Sequence, residues 1–369
     1  MKIGVPKEIK TKEFRVGLTP ASVAELTARG QEVMVETGAG HGIGLDDDAY
    51  SAAGAKIALS AADIFAAAEM IVKVKEPQLK ECAMLTPHHT LFTYLHLAAD
   101  KPQAEALCKS GCLAIAYETV TSAAGTLPLL QPMSEVAGRM SVQIGANCLM
   151  KPAGGEGLLL SGVPGVAPAK VVILGGGVAG ENALQMAMGM RADVTIFERN
   201  LKRIAELDRS YGDRVRVAYS TGDAVREAVL DADLVIGAVL IPGAAAPKLV
   251  TRDMLARMKK GAVLVDIAID QGGCFETSKA TTHDEPTYVV DGVVHYCVAN
   301  MPGGFPMTST FALNNATLPF VLKLAGGVEA ALAADPHLAN GVNVWKGAVT
   351  HEAVARDLGM PYRAFEKAV

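Results

Sequence analysis

KVVILGGGVAGENALQMAMGMRADVTIFERN, residues 170–200, decides how the rest of the chain is read. A β-branched apolar run at 171–174 enters a glycine cluster, an Ala/Met/Leu-rich stretch follows, and a second apolar run at 194–197 ends on Glu198. That order is strand, turn, helix, strand. Gly175, Gly177 and Gly180 stand at GxGxxG spacing, and Glu198 lies 23 residues after the first of them. With these flanks the spacing reads as a dinucleotide-binding fingerprint.

Each glycine has its own reason. Gly175 permits the tight turn out of the strand, Gly177 lets backbone N–H groups approach a pyrophosphate, and Gly180 lets the helix pack against the sheet. The anion then sits at a helix N-terminus, where unpaired N–H groups and the helix dipole favour negative charge. Glu198 is placed to accept from ribose hydroxyls and its charge opposes a 2′-phosphate, which favours NAD over NADP. Arg199 and Arg203 pull the other way.

At 369 residues and 50% hydrophobic content, the chain can bury two cores. A formal charge of −5, with no basic tract of five or more, argues against nucleic-acid or anionic-membrane partners. The six cysteines form no CxxC and no paired framework, so they read as small buried apolar residues. MKIGVPKEIK has no apolar core of a secretory signal, and the most apolar long window, 171–190, is interrupted by Glu181 and Asn182. The expectation is a cytoplasmic, thiol-reduced protein without a membrane span.

Before the fingerprint, apolar runs at 2–5, 32–36, 56–59, 70–74, 90–95 and 113–117 read as strands. Stretches 20–29, 46–53, 61–68 and 101–110 read as helices between them, which predicts a parallel sheet covered on both faces. The acidic run 46–48 reads as a helix start, not a metal site. A long helix follows Pro132, with Ser134 as its expected N-cap. After the fingerprint come strands at 214–220, 234–240 and 262–267 and helices at 223–230 and 251–258. Asp291-Gly292 between two apolar runs signals a hairpin. The fold expected is α/β: two Rossmann-like doubly wound domains with a cleft between them. Their expected limits are 1–128 plus 307–369 for a substrate domain and 129–306 for a dinucleotide domain.

Open α/β sheets bind ligands at the carboxyl ends of their strands. Lys75, His96, Asp270 and Asn300 are polar groups that follow apolar strands, and Arg15 lies in EFRVGLTP. Taken singly, Lys75 also reads as a solvated strand end, His96 as a satisfied core histidine, Asp270 as a turn residue before Gly272-Gly273, and Arg15 as a surface ion-pair partner.

Longer blocks go further. RVGLTP around Arg15, VKVKEP around Lys75, LFTYLHLA around His96, PMSEVAGRMS, GGVAG, GAVLIPG, VDIAIDQGGCFE and YCVANMP run from residue 1 to about residue 320. In these blocks the chain resembles the alanine dehydrogenase/pyridine nucleotide transhydrogenase family. The resemblance implies reversible oxidative deamination of L-alanine to pyruvate and ammonium with NAD, an active site between two α/β domains, and a homohexamer. It implies that Arg15 and Lys75 hold the substrate, that Leu130, Met133 and Asn300 surround it, and that His96 and Asp270 do acid–base chemistry. It places Ser134, Gly175, Gly177, Val178, Ala179, Gly180, Glu198, Arg203, Ser220, Val239, Leu240, Ile267, Asp270, Asn300 and Met301 at the cofactor, and implies no metal. The chain departs from the family pattern at Phe14, Met307 and Glu198, the last of which stands where Asp is common. Those readings leave three rivals: a transhydrogenase subunit, a saccharopine-type dehydrogenase with a bulkier substrate, and a silent NAD-binding module.

Overall fold

The structure is a computed structural model and describes residues 1–239 and 246–365. In chain order its strands are β1 (Lys2–Val5), β2 (Glu32–Glu36), β3 (Lys56–Ala58), β4 (Met70–Val72), β5 (Thr90–Thr93), β6 (Leu113–Ala116), β7 (Lys170–Leu174), β8 (Asp193–Glu198), β9 (Arg216–Tyr219), β10 (Leu234–Gly237), β11 (Val263–Asp266), β12 (Thr287–Val290), β13 (Val293–Tyr296), β14 (Val342–Trp345) and β15 (Ala348–Val349). Two compact units hold them. Met1–Met133 with Phe305–Val369 form one, and Ser134–Gly304 the other.

The first unit carries an eight-stranded sheet in the order β15-β14-β6-β5-β4-β1-β2-β3. From β3 to β6 every pairing is parallel. The central strands β4 and β5 are buried at every residue, as expected of parallel strands covered on both faces, whereas β2 toward the edge alternates buried and more exposed residues. The expected all-parallel sheet is corrected at one edge. The returning chain adds β14 antiparallel to β6 and turns straight back into β15. The turn is Lys346-Gly347, both at positive φ (45° and 76°), as a two-residue hairpin of primed type requires.

The second unit has seven strands in the order β12-β13-β11-β10-β7-β8-β9, parallel except for β12. The β12–β13 hairpin turns at Asp291-Gly292, again with both φ positive. Two expectations change here. The long helix spans Gln131–Cys148, so Ser134 sits inside its first turn and is not its cap. Pro132 is tolerated there because the first-turn N–H groups have no helical partner anyway. The helix Leu201–Tyr211, absent from the sequence reading, is capped by Asn200, whose side chain accepts from Lys202 N and Arg203 N.

Caps elsewhere follow the sequence. Asp46 accepts from Ala49 N at 2.9 Å, so the acidic run does start a helix, Asp47–Ala52. All six cysteines are free, and only Cys108 is not buried. Among the described residues, no single helix is long and apolar enough to cross a membrane.

Candidate active site

In the first unit the strand order reverses between β1 and β4. β2 and β3 extend one way from β1, and β5 and β6 the other way from β4. Such a switch point opens a crevice at the carboxyl ends of the strands. Arg15 lies on the connection after β1, Lys75 shortly after β4, and His96 after β5.

Arg15 is 2% exposed, and a buried guanidinium needs a partner. Glu13 supplies one with fork geometry: Arg15 Nε donates to Glu13 Oε1 at 2.7 Å and Nη2 to Oε2 at 2.6 Å. Burial works against the charge, yet Glu13 more than offsets it, so Arg15 is held above its ordinary pKa. The third arm, Nη1, reaches Met133 Sδ at 3.2 Å. Tyr94 donates its hydroxyl to Leu129 O at 2.5 Å, next to half-buried Leu130. Burial pushes its phenol pKa up, which keeps it a neutral donor. Arg15 thus meets Met133 directly, and Leu130 adjoins the residue that Tyr94 bonds, all within one unit.

Lys75 Nζ and His96 Nε2 stand 3.4 Å apart, so two residues separated by 21 positions meet through their side chains. Both are held by carboxylates that sequence reasoning missed. Glu8 Oε1 accepts from Val74 N at 2.7 Å and from Lys75 N at 3.3 Å. Its Oε2 accepts from Lys73 Nζ at 3.0 Å, and Lys73 also pairs with Glu81 at 2.8 Å, all three charges being buried. Burial pushes the Glu8 pKa up despite Lys73. Behind His96, Glu118 accepts from His96 N at 2.6 Å and from Leu95 N at 3.2 Å. That anchor sustains a left-handed backbone at His96, φ 49° and ψ 34°, which a non-glycine residue rarely adopts. The Tyr94 ring stacks on the imidazole, with centroids 5.7 Å apart and planes 14° from parallel.

In the second unit the switch point falls between β7 and β10. Along the carboxyl edge, Ser220 follows β9, Glu198 ends β8, Gly175 follows β7, Val239 follows β10, Ile267 and Asp270 follow β11, and Asn300 and Met301 come after β13. Leu240, expected beside Val239, lies outside the described residues. Ser134, Val178 and Ala179 lie on the first turns of the helices Gln131–Cys148 and Val178–Gly189.

The glycine turn fits a dinucleotide on its own geometry. Gly175 has φ 103°. A Cβ on Gly180 would lie 1.8 Å from Gly175 O, whereas one on Gly177 would meet nothing within 4 Å. One glycine makes the packing possible, and the other leaves the approach open. Helix Val178–Gly189 starts at Gly177 with no side-chain cap, so its first N–H groups have no cap acceptor. Glu198 accepts from Gly176 N at 2.8 Å, tying the ribose-side carboxylate to the turn. Asp270 is exposed on the short helix Ile267–Gln271. Buried Asp266 starts that helix, accepting from Ala268 N at 3.0 Å and Cys274 N at 2.9 Å. Asn300 has φ 59°, and its carbonyl lies 3.3 Å from His283 Nε2.

A glycine turn made for a dinucleotide, in a chain that also sets arginine, lysine and histidine at a second switch point, defines a nucleotide-dependent oxidoreductase of two α/β units. Family models narrow that class: the alanine dehydrogenase/PNT N-terminal domain matches residues 4–137 and the C-terminal domain residues 141–352. The chain is 59% identical to the alanine dehydrogenase of Halomonas elongata over 98% of both chains. It is 54% identical to that of Bacillus subtilis over 100% of this chain and 98% of the other. A solved L-alanine dehydrogenase superposes with a TM-score of 0.95 at 52% identity, covering 97% of this chain and 99% of that one. The chain belongs to the alanine dehydrogenase/PNT family.

Proposed function

We propose that the chain catalyses the reversible, NAD-dependent oxidative deamination of L-alanine to pyruvate and ammonium. The observation that carries this reading is the Lys75–His96 contact on the same carboxyl edge as the Glu13-oriented Arg15. A small α-amino acid offers one carboxylate for cations to clamp and one Cα to orient, and Arg15 and Lys75 supply the clamp. NAD, when bound, accepts the hydride from that Cα. Gly175, Gly177, Val178, Ala179 and Gly180 hold its pyrophosphate side, and Glu198, Arg203 and Ser220 its ribose side. Ser134, Val239, Leu240, Ile267, Asn300 and Met301 complete the contacts.

His96 takes a proton at Nε2 from the water that adds to the imine carbon and returns it to the departing ammonia. Asp270 favours the positive charge on the substrate nitrogen. Leu130 and Met133 limit the side chain to a methyl-sized group, and Asn300 faces the same substrate. The protein acts as a cytoplasmic homohexamer. Support for that setting comes from six unpaired thiols and from the exposed Phe14, Met307 and Phe311, apolar surface suited to contacts between copies.

Identity of 54–59% with alanine dehydrogenases, against 27% with a solved transhydrogenase from Sinorhizobium meliloti (TM-score 0.80), favours this reading over the transhydrogenase one. Purified protein should reduce NAD with L-alanine at alkaline pH and oxidise NADH with pyruvate plus ammonium. Absence of both reactions would refute the reading. Sedimentation velocity tests the hexamer.

A further inference from the structure

The peptide of Gly176, inside the glycine turn, is gripped from both sides. Its N–H donates to Glu198, and its carbonyl accepts from Arg203 Nε at 2.7 Å. The rest of the Arg203 guanidinium meets carboxylates: Nη2 lies 2.5 Å from Glu181 Oε2, and Nη1 3.2 Å from Glu206 Oε2. Glu181 is itself oriented, since its other oxygen accepts from the Tyr211 hydroxyl at 3.0 Å, and Tyr211 accepts from Gln185 Nε2 at 2.8 Å. Arg203, which shares the Gly176 peptide with Glu198, is therefore a neutralised structural clamp. Arg199, the other cation there, has no ion pair among the described residues. The Arg203 guanidinium is thus shared between two carboxylates, Glu181 and Glu206, while Glu198 holds the backbone N–H groups of Gly176 and Arg199.

We infer that Glu181 and Glu206 are specificity-determining residues: by occupying Arg203 they withhold its guanidinium from a 2′-phosphate, so NAD preference does not rest on Glu198 alone. This rests on the NAD-dependent reading above. Adding a phosphate dianion beside Glu198 demands a free guanidinium with fork geometry, and Arg203 has both ends of its fork filled.

The test uses the full-length Glu181→Gln/Glu206→Gln variant, in which Arg203 keeps its bond to Gly176 O but loses both charged partners. Two ratios are measured: calorimetric affinity for adenosine 2′,5′-bisphosphate over adenosine 5′-monophosphate, and kcat/KM for NADPH over NADH. Each is expected to rise at least five-fold, and adding Arg203→Gln should abolish the rise. A rise below five-fold in the binding ratio overturns the inference, whatever NADH turnover does. Should the double variant not fold, Arg203→Gln alone decides. It is expected to weaken both adenosine ligands alike, and a five-fold selective loss of the bisphosphate would show that Arg203 already serves a 2′-phosphate, overturning the inference. Absence of NADH turnover in the unmodified protein would instead refute the functional reading.

Discussion

Lys75 Nζ stands 3.4 Å from His96 Nε2. A lysine ammonium can only donate, so the contact is favourable when that imidazole nitrogen carries its lone pair. In the proposed mechanism, a substrate carboxylate that draws Lys75 toward itself would free Nε2 to accept a proton. His96→Ala should therefore cut kcat by about 100-fold or more, the usual scale of general acid–base catalysis, while NADH still binds. Fluorescence titration with NADH beside steady-state kinetics checks this, and normal kcat would remove His96 from the chemistry.

Glu13 is expected to matter as much as the arginine it orients. Breaking a buried pair costs about 3–5 kcal/mol when one charge is left behind, and the Glu13 and Arg15 side chains are 0% and 1% exposed. Glu13→Ala should lower the urea midpoint and raise KM for pyruvate. Stability and KM both unchanged would show that Arg15 does not depend on Glu13.

Two glycines of one turn should respond oppositely. Gly180→Ala would put a methyl carbon 1.8 Å from Gly175 O, so the helix must move off the strand and stability falls. Gly177→Ala has room and an ordinary φ of −69°, so the fold should hold while NADH affinity drops as the methyl enters the approach path. Thermal unfolding and NADH titration of both variants separate the effects, and equal loss of stability in the two would contradict the assignment.

Acid sensitivity should come partly from two buried histidines. Burial lowers the pKa of His295, in the second unit, and of His351, in the first, below 6.5. Both are neutral when folded and take up a proton on unfolding as pH falls through 6.5. Their contribution to stability is present above that pH and lost below it. Each adds a slope of at most about 1.4 kcal/mol per pH unit. His295→Gln should flatten the fall in unfolding free energy from pH 7 to pH 5, measured with urea. An unchanged slope would exclude His295 as a source.

The β12–β13 turn and the glycine turn were legible because a positive φ is a demand on one residue, and Asp291-Gly292 or Gly175 answers it in place. The Lys346-Gly347 hairpin carried the same signal, but the two residues of β15 make too short an apolar run to draw notice. Helix Leu201–Tyr211 escaped because its polar face dominates the local composition, while its capping Asn200 was in plain view. Of the candidate site, the strand-end residues Lys75 and His96, whose side chains meet, were visible in the sequence, since an apolar run that stops at a polar group is a local pattern. The carboxylates behind them were not.

What the sequence determined by itself was the alternation of strands and helices and the identity of the nucleotide turn. Those depend on short-range matters: missing Cβ atoms, fixed φ values, and unbroken apolar runs on strands covered from both sides. Only the tertiary structure decided which groups each acid serves. Glu8 meets the Lys73 ammonium across 65 positions, Glu118 the backbone N–H of His96 across 22, and Glu181 the Arg203 guanidinium across 22. The reason is desolvation. A charge needs a partner only where the fold has removed it from water, and the partner is whichever carboxylate the topology brings to that strand end.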